Sequence, residues 1–277
     1  MSTHCAVPVT GGAVGRRRWW LSIAAVAVLM LASAAATTRA TTQAVALGGG
    51  ETLVSQANPD GTTSYDFYDA PSGPAGARQL AGAKPIQPNK VEDPGGGGGG
   101  GSCYHGTAHA EPASACPPWT WTYQGHVRPI VYFHDASGSS WPVSTAVSVW
   151  NQSLGIDSYW QPSTTPCPDN VHCAFVYEIN DSTKHVCGQT HLVIDGNHHF
   201  VEDADYILLN DYYFAHTDSD GSRCTGTKRS TACHEIGHML GLDHNDSKSS
   251  CIYYQSVSDR SQVPNSDDFY VLQYISY

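Results

Sequence analysis

The run 234–244, His-Glu-Ile-Gly-His-Met-Leu-Gly-Leu-Asp-His, limits the folds open to this chain more than any other stretch. Histidines four apart on a helix carry their imidazoles on one face, one turn from each other. His234 and His238 therefore define a helix with a ligand edge. Glu235 falls about 100° further round, beside that edge and placed to accept a proton. Gly241 is the expected stop, because glycine takes the left-handed conformation of a helix C′ residue without steric cost. The chain must then turn back for His244 to join the other two. Three histidines at this spacing hold zinc and leave its fourth position open to water, as catalytic sites do. The bland reading of a bare H-E-x-x-H is two core histidines and a solvated glutamate. With Gly241 and His244 included, chance occurrence at this chain's own residue frequencies falls to roughly one in ten thousand.

The pattern resembles that of the metzincin metallopeptidases, over roughly residues 125–277. Metzincins carry a methionine in a tight turn beneath the zinc. At the matrixin spacing, eight residues after His244, this chain has Ile252 instead. Tyr254 stands two residues further on, where astacins and serralysins have a tyrosine that touches the zinc and swings to the substrate oxyanion. A packed tyrosine with a satisfied hydroxyl is the competing reading there. The stretch 265–273 is similar to the Ser/Asp-Asp start of the matrixin C-terminal helix. The resemblance implies zinc on His234, His238 and His244, Glu235 as general base, Tyr254 at the oxyanion, and a protein or peptide substrate. The family methionine is an apolar floor that does not bind metal. Isoleucine has a similar volume, so its packing cost should stay under ~1.5 kcal/mol, although β-branching can tilt the histidines.

Residues 1–40 read as a secretory signal: Arg16, Arg17 and Arg18, then an apolar run at 19–31 and an alanine-rich end. An uncleaved anchor is the competing reading. Cysteine usage agrees with export. Cys5 lies in the signal, and the remaining eight form an even set of up to four disulfides, with Cys233 more fittingly half of one than a metal ligand. Expected pairs are Cys103 with Cys116, Cys167 with Cys173, and Cys233 with Cys251, the last tying the active-site helix to the turn under the zinc.

The segment 41–101 is rich in Ala, Gly, Thr, Ser and Pro and ends in seven successive glycines. It reads as a low-complexity propeptide or a linker with no fold of its own, and no matrixin-type latency cysteine is found in it. Residues 102–277 form the catalytic domain. Strands are expected at 127–133, with Pro129 arguing for an early or edge position, and at 174–179, 189–195 and 206–209. A helix is expected over 142–154, stopped by Gly155. Ser230 or Thr231 caps the zinc helix, and Ser266 with Asp267 and Asp268 caps the last one. The order predicts an α/β (α+β) zincin domain: a twisted, mixed, mostly parallel sheet, an active-site helix, a C-terminal helix, and disulfide staples. By the resemblance, the strand around 191–195 is the edge to which substrate adds.

Residues 102–277 carry seven Lys/Arg against nineteen Asp/Glu, which argues against nucleic acid or an anionic membrane as partner. The loop 218–221 fails the EF-hand pattern, so a structural calcium is not supported, and no other histidines show spacing for a second zinc. A secreted, monomeric zinc endopeptidase is the reading. A catalytically silent, metzincin-like binding protein is the alternative, against which intact Glu235 argues, and a surface protein stapled by zinc is a third.

Overall fold

The computed structural model describes residues 42–48, 51–71, 119–201, 204–245 and 247–277, within a compact unit, Thr38–Tyr277. The expected signal at 1–40 and the Cys103 and Cys116 pair lie outside the described residues. The strands are β1 (Thr42–Gly48), β2 (Glu51–Ala57), β3 (Thr63–Asp69), β4 (Ile130–Asp135), β5 (Asp157–Pro162), β6 (His172–Ile179), β7 (Gly188–Ile194) and β8 (Tyr206–Asn210). The helices are α1 (Val143–Trp150), α2 (Tyr212–Ala215), α3 (Lys228–Met239) and α4 (Ser266–Val271), the last continuing as a π-helical stretch, Leu272–Ser276. Among the described residues no helix is long and apolar enough to cross a membrane.

All eight strands form one mixed sheet in the order β1-β2-β3-β7-β8-β6-β4-β5. Its 130–210 half is mostly parallel as expected: β4 pairs parallel with β5 and β6, and β6 with β8, while β7 runs antiparallel to β8. The strand 127–133 is shifted. β4 starts at Ile130 because Pro129 has no N–H to donate; its carbonyl instead accepts from Asp157 N. In β4, Val131 and Phe133 are fully buried. α1 buries Val143, Ala146, Val147 and Trp150 at helical period, but it stops at Asn151 and leaves Leu154 exposed, so Gly155 is not its stop. β5 was not expected, since Asp-Ser-Tyr-Trp-Gln-Pro lacks an apolar alternation; it is made a strand by pairing along the whole of β4.

The larger correction concerns residues 42–69. The sequence reading gave them no fold, yet β1, β2 and β3 form an antiparallel three-stranded extension of the sheet. β3 carries a strict alternation, with Tyr65, Phe67 and Asp69 buried and the intervening residues half-exposed. It pairs antiparallel with β7 over seven residues, from Thr63 opposite Ile194 to Asp69 opposite Gly188. The expected substrate edge is thus not an edge in this chain: β3 fills it.

Beneath the sheet, two fully buried tryptophans fix α3. Trp150 Nε1 donates to Cys233 O and Trp121 Nε1 to Met239 O, each at 2.9 Å. Such pairing removes the cost of burying an indole N–H. Disulfides join Cys167 with Cys173 and Cys233 with Cys251, as expected, and Cys187 with Cys224.

Candidate active site

The site is built on α3. Its N-cap is Thr227 rather than Ser230 or Thr231: the Thr227 hydroxyl accepts from Ser230 N, and Ser230 Oγ accepts in return from Thr227 N. At the other end Gly241 has φ +96°, with Leu242 N donating to Gly237 O and Gly241 N to His238 O. This is the Schellman closure that the motif's glycine requires. A Cβ at Gly241 would also meet the Trp119 carbonyl at 2.5 Å, so only glycine lets the chain turn here.

The turn brings the three histidines together. One ring nitrogen from each of His234, His238 and His244 lies within 4.8 Å of the others, and the Nε2 atoms of His234 and His238 are 3.0 Å apart. His238 Nδ1 lies 2.8 Å from Leu242 O and His234 Nδ1 3.0 Å from Cys251 O, both donating in the tautomer that turns Nε2 to the centre. Burial holds His234 and His238 well below the ordinary histidine range and His244 down to about 4. At neutral pH the cluster offers three neutral imidazoles, the form that binds a metal. Three buried imidazoles with anchored tautomers fit zinc. The other cluster among the described residues, His134 with Cys167 and Cys173, does not. Its two sulfurs are joined to each other. The 218–221 loop closes on itself as a turn, with Asp218 accepting from Tyr212 OH and Gly221 N.

Ile252 is fully buried and packs against α3 at Gly237. A Cβ added at Gly237 would come within 2.4 Å of Ile252 Cγ2 and 2.8 Å of Trp150 Cζ2. The isoleucine floor therefore works because residue 237 has no side chain. The Cys233–Cys251 disulfide ties that floor to the helix, and Cys251 supplies the carbonyl facing His234. Asn245 N donates to Ile252 O, and Asn245 Nδ2 to Asp268 of α4. The cap of α4 is Asn265, with Asp268 completing a capping box, where Ser266 was expected. Tyr254 is half-buried and packs on Tyr253, ring centroids 4.5 Å apart.

Glu235 is fully buried. Its Oε2 accepts from Thr190 Oγ1 of β7 at 2.6 Å, and a Cβ at Gly188 would lie 2.4 Å from Oε1. β7 thus shapes the seat of the glutamate. Sequence reading missed Thr190 and Gly188, although both lie at or beside a strand it did place. It also missed Arg260, whose guanidinium is wholly buried beside the histidines. Nη1 lies 3.3 Å from His234 Nδ1, and Nη2 donates to Thr231 Oγ1 and Asp69 Oδ2, each at 2.9 Å. From above, Phe67 of β3 stacks on the His238 ring at 4.1 Å, 14° from parallel, and presents an edge to His244.

Residues 174–276 match the matrixin family model, Peptidase_M10. No curated protein matches the chain in sequence. Among solved structures, the chain is similar to metalloproteinase-II from Bacteroides fragilis at 10% identity, over 85% of this chain and 79% of that one, with a TM-score of 0.31. A score that low is too weak to argue from, so the fold stands on the sheet order and the site described above. The matrixin match runs from within β6 through α4 and includes all three histidines and Glu235, so this part of the chain is similar to the matrixin zinc metallopeptidases.

Proposed function

We propose that the chain is an exported zinc-dependent endopeptidase that hydrolyses peptide bonds with Glu235 as general base. The observation that carries this reading is the convergence of three imidazoles beside a buried carboxylate. His234, His238 and His244 would hold the metal. When bound there, zinc supplies a Lewis acid and lowers the pKa of a water. Glu235 would take a proton from the attacking water and deliver it to the leaving amine. Thr190 holds the carboxylate against β7, the strand along which an extended peptide would lie. Tyr254 is assigned to the oxyanion. Replacement by phenylalanine should slow turnover modestly, and an unchanged rate removes it from the mechanism. Export is supported by the signal-like sequence at 1–40 and by the disulfides.

The test is cleavage of an unfolded protein such as casein by the full chain, as made and after cutting within 72–118 and adding excess peptide to free the cleft. Cleavage that is abolished by a chelator and restored by zinc supports the reading. A zinc-loaded chain with an open cleft that cleaves nothing refutes it and favours the silent binding protein.

A further inference from the structure

On the other face of the sheet, His134 meets two cysteines. Along β4, Val131 and Phe133 enter the core, so Tyr132 and His134 point the opposite way. In register, Gln161 of β5 stands opposite His134, and Cys173 of β6 opposite Tyr132. His134 therefore has Gln161 beside it and Cys173 diagonally across. The loop between β5 and β6 brings Cys167 back to Cys173. One ligand atom from each of His134, Cys167 and Cys173 lies within 4.8 Å of the others. His134 is 3% and Cys173 5% exposed, whereas Cys167 is open to solvent. Among the described residues the His134 ring has one hydrogen-bond partner, the Gln161 amide at Nε2, which leaves Nδ1 without one.

Joined to each other, the two sulfurs are not ligands. Reduced, they become thiolates, the form of cysteine that binds metal. We propose that reduced Cys167 and Cys173, together with His134, form a second metal site for a thiophilic divalent ion of the zinc kind, opened by an external thiol and closed by the reverse exchange. One external thiolate attacks the Cys167 sulfur, and the Cys167–Cys173 bond breaks with its electron pair on Cys173. A second thiol resolves the mixed disulfide, leaving one external disulfide and two cysteine thiols. Metal binding then displaces the two thiol protons. Position singles out this pair. Cys187, Cys233 and Cys251 are fully buried and Cys224 is 8% exposed, out of reach of an external thiol, and the exposed disulfide is the labile one. Ligand sulfurs on one zinc stand less than about 4.6 Å apart, twice the bond length. Side-chain rotation reaches that with the Cα atoms 6.2 Å apart. Two thiolates and an imidazole suit zinc and leave a fourth position for water.

The experiment uses the full chain, first loaded with zinc to fill the three-histidine cluster and freed of excess metal. A water-soluble phosphine then reduces the accessible disulfide, taking oxygen from water to become the phosphine oxide. The probe is cobalt(II) alone, whose thiolate charge-transfer absorption in the near ultraviolet cannot arise from imidazoles. Before reduction no such band is expected. After it, one cobalt per chain should bind with the band, and alkylation with peptide mapping should find the free thiols at Cys167 and Cys173. Replacing both cysteines by serine should abolish the band. His134→Phe, which fills the space beside Phe175, should weaken cobalt binding at least about a hundredfold, more than loss of a group that only orients a ligand costs. Circular dichroism records that each variant is folded. No band in the reduced chain, or the same band in the double serine variant, overturns the site. Equal affinity in His134→Phe overturns the three-ligand set. Free thiols at the buried cysteines with Cys167 and Cys173 still joined overturn the redox gate.

Discussion

Gly237→Ala tests the packing under the three-histidine cluster. The added Cβ would stand 2.4 Å from Ile252 Cγ2 and 2.8 Å from Trp150 Cζ2. Neither neighbour yields cheaply: both are fully buried, and Trp150 is pinned by its bond to Cys233 O. Overpacking of this kind costs about 1–3 kcal/mol, against about 1 kcal/mol gained by replacing a helical glycine with alanine. With rigid neighbours the upper part of the range applies, giving a net loss of about 1–2 kcal/mol. For a domain of this size that lowers Tm by about 2–8 °C. Urea and thermal unfolding measure it, with zinc content recorded beside each. Ile252→Met has an unbranched Cβ and lacks the clashing Cγ2. In the Gly237→Ala background it should recover about half the loss, since the Trp150 contact remains. A Gly237→Ala protein as stable as the native one, or more stable, would refute the rigid floor.

Three further outcomes are expected. Burial pushes Asp205 up to about 8, opposed only in part by the bond from Val193 N, so the folded state holds its proton over a range where the unfolded chain does not. Stability should therefore be full below about pH 4 and fall as pH rises towards 8, by an amount on the order of a few kcal/mol; Asp205→Asn should flatten that slope in unfolding titrations between pH 5 and 8. Replacing Cys233 and Cys251 together by serine removes a crosslink spanning 18 residues. It should cost about 3 kcal/mol and weaken zinc retention in competition with a chelator, because Cys251 O anchors His234. Thr190→Val keeps volume but removes the hydroxyl that holds Glu235, and should lower kcat about tenfold with little change in KM. A KM change with kcat unaltered would place Thr190 in binding instead.

The three-histidine cluster was legible in the sequence because its spacing is local. Two histidines sit one helical turn apart, a glycine turns the chain, and the third histidine follows within three residues. The floor was half legible. Ile252 could be placed by spacing, but Gly237 as its partner could not, because their contact spans the turn and a loop. Arg260 and Asp69 were invisible, being 191 residues apart and joined only through the sheet. β3 was missed for a related reason. Thr-Ser-Tyr-Asp-Phe-Tyr-Asp has the period of a strand, yet its surroundings are rich in small polar residues and glycine, and it is ordered by β7 rather than by its own propensity. The helix caps slipped by three or four residues at Thr227 and by one at Asn265, within the range over which several Ser, Thr, Asn and Asp compete for one helix end.

Catalysis by Glu235 beside the three histidines is tested by turnover of a peptide by the cut, zinc-loaded chain beside Glu235→Ala at matched zinc content. Equal metal binding is expected in both proteins, with a rate at least about a hundredfold lower in the variant, the least that loss of a general base costs. Equal rates in the two proteins would contradict it.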